Sequence, residues 1–246
     1  MYIPGIFNYC DRWCERCPLA SKCENYEPHF EGEKEKLTKR DIENFLFWQN
    51  IDAKIPQVSA FVENLAEKHN VDISDIESMG TGKKFDLFQG KAKTNDILKV
   101  GRKYEDQVDD WFDEACEKYP IEAESIMQSE LKLAKGSGFN DVEKINDAID
   151  IIFRYQLQIY LKLSRAFFSK GKEAAGEQEG NDSAGAARMV MEFINRSLVS
   201  WKILYDAFID EQKSILPIMF NLISLRNRLF KEFPGVMDFR RAGFDD

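Results

Sequence analysis

The chain has 246 residues, of which 43% are hydrophobic and 31% are charged, and its formal net charge is −9. The length suits one large domain, or one domain with a small appendage, and the composition argues against wholesale disorder. The negative charge disfavours general binding to nucleic acid. No apolar run approaches the about 20 residues of a membrane-spanning helix. We therefore expect no membrane association.

Four of the five cysteines lie close together near the N-terminus, in the spacing C-x3-C-x2-C-x5-C. The N-terminus has neither the basic segment nor the long apolar segment of a secretory signal, so we expect a cytoplasmic protein with reduced thiols. In a reducing compartment, such a dense group of cysteines predicts a metal site rather than disulfides. The predicted ligands are Cys10, Cys14, Cys17 and Cys23.

The local geometry of this site follows from the cysteine spacing. If the segment is helical, Cys10, Cys14 and Cys17 share one helix face. Pro18 disfavours helical geometry at the residue before it, so the helix should end at Cys17 and a turn should return Cys23 to the site. Nearby cations are expected to lower the thiol pKa values, and aromatic rings are expected to exclude water. These residues are Arg12, Arg16 and Lys22, and Phe7, Tyr9 and Trp13.

Four thiolates select zinc or an iron–sulfur cluster over magnesium or calcium. Zinc sites usually pair two C-x2-4-C knuckles that are separated by a longer loop. Closely packed cysteines are more typical of iron–sulfur proteins, so the spacing favours a four-iron (4Fe-4S) cluster over zinc. We expect the cluster to have a structural or redox role. A zinc-stabilised helical adaptor that binds a partner protein is an alternative.

The first three cysteines resemble the C-x3-C-x2-C motif of radical S-adenosylmethionine enzymes over eight residues. That resemblance implies a cluster with one iron open to the cofactor, held in a barrel of alternating strands and helices. In this chain, Arg16 stands where that family usually has an aromatic residue, and Cys23 is available as a fourth ligand. The rest of the chain lacks the alternating strands and helices that the barrel needs.

Beyond the cysteines, the sequence predicts an all-α protein, a bundle of six or seven helices. Residues 1–36 are interpreted as an irregular metal-binding lobe with a linker, and residues 37–246 as the bundle, with a mobile loop at 170–186. The lobe has too few apolar residues for its own core, so we expect its order to come from the metal. Apolar residues repeat at three- and four-residue intervals in five stripes, which begin at Ile55, Ile97, Val142, Val190 and Ile218.

A second candidate site is acidic. Residues 109–113 read Asp-Asp-Trp-Phe-Asp and match the DDxxD pattern of all-helical isoprenoid synthases, which implies magnesium bound against a diphosphate. The alternative function is therefore a magnesium-dependent helical enzyme that acts through Asp109, Asp113 and Asp150. No other motif discloses a reaction, so the sequence leaves open whether the protein is an enzyme.

Residues 83–103 form a basic stretch within this acidic chain, and aromatic residues interleave it. The stretch is a candidate contact for an anion or a partner. The sequence does not identify a partner.

Overall fold

A computed structural model of the chain describes residues 2–26, 33–73, 96–118, 139–176 and 182–245. These residues form helices joined by turns, and none of them lies in a β-strand. The all-α prediction is confirmed, whereas the number of six or seven helices stays a prediction. The described α-helices are α1 (Glu33–Asp52), α2 (Ile55–Lys68), α3 (Asp96–Lys118), α4 (Phe139–Ala174), α5 (Asp182–Ala207) and α6 (Gln212–Glu232).

Helix α5 provides most of the core. It packs most extensively on α4 and also contacts α1, α2 and α6. Its side chains are buried on every side over most of its length, and Met189, Phe193 and Trp201 are among the most enclosed. A helix that is apolar around its whole circumference is stable only inside a protein core, and the neighbouring helices provide that environment.

The predicted apolar stripes are the buried faces of the helices. In α3, Tyr104 and Val108 are fully buried, and in α4, Ile159 and Leu163 are fully buried. Helix α3 packs between α4 and α6. The buried indole of Trp201 in α5 donates a hydrogen bond to the hydroxyl of Tyr104 at 3.2 Å, so this polar pair is satisfied inside the core.

The loop predicted at 170–186 is shorter than expected, because both of its ends are helical. Helix α4 continues to Ala174, which makes it about 54 Å long, and α5 begins at Asp182. The carboxylate of Asp182 accepts hydrogen bonds from Arg165 Nε at 3.1 Å and from Ser169 Oγ at 2.7 Å, which ties the start of α5 to the end of α4. Residues 177–181 lie outside the described residues.

The division of the chain into a lobe at 1–36 and a bundle at 37–246 stays a prediction. Helix α1 already begins at Glu33, within the segment interpreted as a linker. None of the described helices has both the length and the apolar character that crossing a membrane requires.

The segment after α6 returns to the N-terminal residues 2–26, which we call the cysteine loop. The ring of Phe239 packs edge-on against Tyr9, with 4.8 Å between the ring centroids. Gly243 has a φ of 77° and lies so close to the cysteine loop that a Cβ atom there would be 2.8 Å from Ile3 Cδ1. The two ends of the described chain therefore meet beside the cysteines.

Candidate metal centre

The cysteine loop is built from turns and two short 3₁₀ helices, Cys14–Arg16 and Ala20–Lys22. The helical interpretation of residues 10–17 is therefore wrong for residues 10–13, and only Cys14–Arg16 forms a short helix. The side chain of Asp11 accepts a hydrogen bond from the backbone N–H of Trp13 at 3.0 Å, and Arg12 has a φ of 55°, so the chain turns here instead of coiling. The predicted break before Pro18 is confirmed, because Cys17 is extended.

The four predicted ligands line one cavity. It encloses about 320 Å³ of empty space, part of which is open to solvent. All four cysteines are free thiols and half-buried. Phe7 and Trp13 contribute to the wall as predicted, but Tyr9 turns away from it towards Phe239. The residues that line the cavity are Cys10, Cys14, Cys17 and Cys23, together with Ile6, Phe7, Asp11, Arg12, Trp13, Ala20, Tyr26 and Phe244.

Within the described ranges, no group of three or more His, Cys, Asp or Glu side chains is arranged to hold a metal ion. The metal site, its iron–sulfur cluster and the zinc alternative therefore all stay predictions. What the structure establishes is that the four cysteines line one cavity.

Three of the four thiols are less acidic than the sequence predicts. Burial raises the pKa of Cys10 and Cys14, and it raises the pKa of Cys17 to about 12. The expectation that nearby cations lower these pKa values is wrong for these three cysteines, because desolvation is the largest influence and acidic neighbours such as Asp11 raise the pKa values further. The guanidinium of Arg16 is engaged elsewhere, in an ion pair with Asp147 of α4. Thiols of this kind are protonated at neutral pH, so the binding of a metal would release protons.

Helix α4 holds the first half of the cysteine loop. The hydroxyl of Tyr155 donates a hydrogen bond to the carboxylate of Asp11 at 2.8 Å. The guanidinium of Arg154 donates to the backbone carbonyls of Asp11 and Arg12 at 3.1 and 2.6 Å. The side-chain amide of Gln158 donates to the carbonyl of Asp11 at 3.4 Å. The backbone beside Cys10 is thus fixed by side chains that lie more than one hundred residues away in sequence.

Helix α1 holds the second half of the loop in the same way. The amide of Asn44 donates to the carbonyls of Glu15 and Cys17 at 3.0 and 3.1 Å, and Trp48 Nε1 donates to the carbonyl of Arg16 at 2.7 Å. Carbonyl groups in irregular backbone need donors from elsewhere when they are buried. The sequence predicts that the order of this lobe comes from the metal, whereas these hydrogen bonds hold its backbone directly.

A cluster of aromatic rings lies directly behind the cysteines. Trp13 of the loop packs edge-on against both Trp48 and Tyr155, with centroid distances of 6.0 and 6.2 Å. Tyr155 stacks in turn on Phe193 of α5 at 4.4 Å. These contacts connect the wall of the cavity to the main core.

A buried ionic network lies on the α5 side of the cysteines. Glu192 pairs with Arg196 at 2.6 Å and with Arg188 at 2.9 Å, and it lies 3.6 Å from Arg241. Arg241 also pairs with Asp245 at 2.7 Å. A second cavity shares Cys10 and Cys17 with the first, and Arg196 and Arg241 of the ionic network also line it.

No family model, curated protein or solved structure matches the chain.

The residues of the acidic candidate site do not form a ligand group. Asp109, Asp113 and Asp150 are all exposed, and no group of metal-binding side chains is found in the part of the chain that the structure describes. The carboxylate of Asp109 instead accepts a hydrogen bond from Gln156 at 3.0 Å, across the contact between α3 and α4. The magnesium-dependent enzyme stays an untested alternative.

Most of the basic stretch at 83–103 lies outside the described residues, which resume at residue 96. In its described part, Lys99 pairs with Asp96 at 3.2 Å and Arg102 pairs with Glu105 at 2.8 Å, within α3. These ion pairs partly neutralise the positive charges of Lys99 and Arg102. The contact with an anion or a partner stays a prediction.

Sequence reasoning missed several residues of the cavity and its surroundings. Phe244 lines the cavity from the other end of the chain, and Tyr155 anchors the loop from α4. Gly185 was interpreted as part of a mobile loop, but it lies in α5 where a Cβ atom would overlap the ring of Tyr9. The only sequence signal for this contact is Gly185 itself, because a glycine within a helix can mark a place where another group packs against the backbone.

Proposed function

We propose that this protein binds an iron–sulfur cluster through Cys10, Cys14, Cys17 and Cys23, and that the cluster has a redox or structural role. The observation that carries the proposal is the convergence of four free thiols on one cavity. Soft thiolate ligands favour iron–sulfur clusters and zinc over hard cations. When bound, such a cluster supplies one-electron chemistry.

Two observations favour the cluster over a single zinc ion: the four cysteines line one cavity, and among the described residues no three of them are grouped as ligands of one metal ion. Zinc with four thiolates needs zinc–sulfur distances of 2.3 Å in a tetrahedron, which brings the sulfur atoms within about 3.8 Å of one another. A four-iron cluster binds each thiolate at a different corner and therefore suits a wider ring of cysteines. Cys10, Cys14, Cys17 and Cys23 would each hold one corner.

The anchoring of the loop bears on the role of the cluster. Side chains of α1 and α4 hold the loop backbone through hydrogen bonds to the carbonyls of Asp11, Arg12, Arg16 and Cys17. A metal whose task was only to order the loop would duplicate these bonds. This argument favours a redox role over a purely structural one.

The proposal is tested by metal analysis of the full chain after anaerobic purification. We expect brown protein with about four irons per chain, because sulfur-to-iron charge transfer absorbs visible light. Cys14→Ser and Cys17→Ser should each lose most of the iron and the visible absorbance. Cys116→Ser is the matched control, since it removes the cysteine outside the group of four, and it should retain both.

Three outcomes would contradict the cluster. Colourless protein with one zinc per chain would support the zinc-stabilised adaptor instead. Native protein that holds neither metal would remove the metal site altogether. A loss of iron in Cys116→Ser as large as that in Cys17→Ser would show that the four cysteines are not the ligands.

A further inference from the structure

One face of α4 is directed at the cysteine loop. Residues three, four or seven apart share a helix face, and Asp147, Arg154, Gln158, Lys162 and Arg165 follow this spacing. Asp147 pairs with Arg16 of the loop, and Arg154 and Gln158 donate hydrogen bonds to the backbone carbonyl of Asp11. Lys162 lies one turn beyond Gln158, which contacts Asp11, and one turn before Arg165, which pairs with Asp182. Because Gly185 near the start of α5 packs on Tyr9, this position places Lys162 beside the segment from Tyr9 to Asp11, which contains Cys10.

Lys162 differs from its neighbours on this face. Its side chain is half-buried, yet it forms neither a hydrogen bond nor an ion pair with any residue in the described ranges. Burial lowers the pKa of Lys162, and the positive charges of Arg165 and Arg12 lower it further, whereas Cys10 and the carboxylate of Asp182 act in the opposite direction. A half-buried ammonium without an anionic partner is costly unless a negative charge comes to it.

The surroundings of Lys162 contain a second cation without a partner. Arg165 is neutralised by Asp182, whose carboxylate accepts two of its N–H groups at 2.5 and 3.1 Å. The side chain of Arg12, in contrast, is exposed and makes no ion pair with the residues that the structure describes. Asp11 is the nearest acid in sequence, and its carboxylate is already bonded to Tyr155 and to the backbone of Trp13. Asp11 therefore sets one negative charge against the two cations Lys162 and Arg12, and the balance of these three groups is positive.

We propose that Lys162 is the counter-charge of the four-cysteine centre, placed beside Cys10 to offset the negative charge of the thiolate-bound cluster and to raise its reduction potential. This inference rests on the proposed function. Reduction adds an electron to a centre that is already negative, so a nearby cation stabilises the reduced form more than the oxidised form. Lys162 acts through the cysteine ligand and is therefore a positioning residue of the centre.

The test is a redox titration of the iron-loaded full chain, followed by visible absorbance. Lys162→Met removes the charge and keeps the length of the side chain, and Lys162→Arg keeps the charge. In Lys162→Met, we expect the ratio of reduced to oxidised cluster at a fixed potential to fall about tenfold, which is about 59 mV for a one-electron couple. Lys162→Arg should stay within about threefold of the wild type. A chelator should also remove iron several-fold faster from Lys162→Met.

Lys172→Met is the matched control, because it removes one positive charge from the same helix. Lys172 lies over the ring of Phe168, with 4.7 Å from its ammonium to the ring centroid, and we expect the potential of this variant to equal that of the wild type. Far-ultraviolet circular dichroism checks that each variant is folded. Lys162→Gln provides a second neutral variant if Lys162→Met does not fold.

The outcomes separate this inference from the function on which it rests. If the wild type binds no iron, the proposed function fails. If the wild type is iron-loaded and Lys162→Met has the same potential, only the role of Lys162 is overturned. A shift in Lys172→Met as large as that in Lys162→Met would also overturn it, because the effect would then reflect net charge and not the position of Lys162.

Discussion

Among its hydrophobic side chains, the cysteine loop buries only Ile6 and Ala20, whereas every residue of α5 from Met189 to Phe193 is buried. The loop is held by directed hydrogen bonds to its carbonyls, and the helical body is held mainly by apolar burial. Apolar contacts tolerate small shifts, while hydrogen bonds fix distances and angles. The comparison suggests that the loop is built for defined positions of its cysteines, and the body for stability.

The largest expected effect is in the ionic network between these two regions. Glu192→Gln removes the buried carboxylate that Arg188, Arg196 and Arg241 all approach. The peripheral carboxylates of Asp52 and Asp245 remain, but they must then serve three arginines between them. Breaking a buried charge group by removing one partner costs about 3–5 kcal/mol. Urea denaturation should measure this loss in the free energy of unfolding. We expect the body and the loop to unfold in the same transition.

The control is Glu232→Gln, which removes the half-exposed partner of Lys170. An ion pair of this kind contributes less than about 1 kcal/mol. If the two variants lost equal stability, the buried network would not be the link between loop and body.

Tyr155→Phe should act on the loop first. The change removes the hydrogen bond to the Asp11 carboxylate and retains the stacking of the ring on Phe193. A hydrogen bond to a charged group contributes about 1.5–3 kcal/mol. Limited proteolysis should detect faster cleavage within residues 2–26 while the helical signal in circular dichroism is retained.

Tyr205→Phe is the control for this change, since the side chain of Tyr205 is partly buried and its hydroxyl makes no hydrogen bond among the described residues. Its proteolysis pattern should match that of the wild type. Unfolding of the whole chain in Tyr155→Phe would mean that the body depends on the loop.

The C-terminal segment should make the protein sensitive to acid. Burial alone would raise the pKa of Asp245, but hydrogen bonds and positive charge from Arg241 outweigh it and bring the pKa to about 2, below the unfolded value of 3.8. The folded protein therefore binds fewer protons than the unfolded chain between these values. The resulting stability is complete above about pH 5 and is lost as the pH falls towards 1.

We expect this contribution to be about 1–2 kcal/mol after allowance for solvent screening. The free energy of unfolding, measured by urea denaturation at a series of pH values between 6 and 2, should fall less with decreasing pH in Asp245→Asn than in the wild type. Equal pH dependence of the two proteins would contradict the depressed pKa of Asp245.

The smallest expected effect distinguishes two helical glycines. A Cβ atom at Gly185 would overlap the Tyr9 ring, whereas one at Gly171 would meet nothing within 4 Å. Gly171→Ala should stabilise the protein by about 0.5–1 kcal/mol through helix propensity. In Gly185→Ala, overpacking of about 1–3 kcal/mol opposes that gain, so we expect a net loss of about 1 kcal/mol. Thermal denaturation should give opposite signs for the two variants.

The sequence predicts those features that depend on near neighbours in the chain. The spacing of Tyr104 and Val108 in α3, or of Ile159 and Leu163 in α4, identifies a buried helix face without knowledge of its partner. The cysteines are close together in sequence, so their common site could be expected. The backbone conformation of the site could not be predicted in the same way, because the chain forms a turn at Asp11 and Arg12 where the spacing of the cysteines suited a helix.

Features that depend on distant pairs were not predictable. The bond from Tyr155 to Asp11 joins residues 144 positions apart, and the wall formed by Phe244 comes from the far end of the chain. No local pattern encodes such contacts. In the ionic network, Glu192 lies four residues from both Arg188 and Arg196, so the sequence predicts that these side chains can pair on one helix. The sequence does not predict that the pairs are buried.

The position of Phe244 in the cavity wall has a consequence for how the protein is made. A ribosome adds about 5–20 residues per second, so Phe244 is synthesised about 10–45 s after Cys23. Throughout that interval the nascent chain carries the four thiols without the wall that covers them in the folded protein. The cysteines are therefore most accessible to oxidants and to metal ions in solution during translation. The complete cavity wall forms only once the C-terminal segment has left the ribosome.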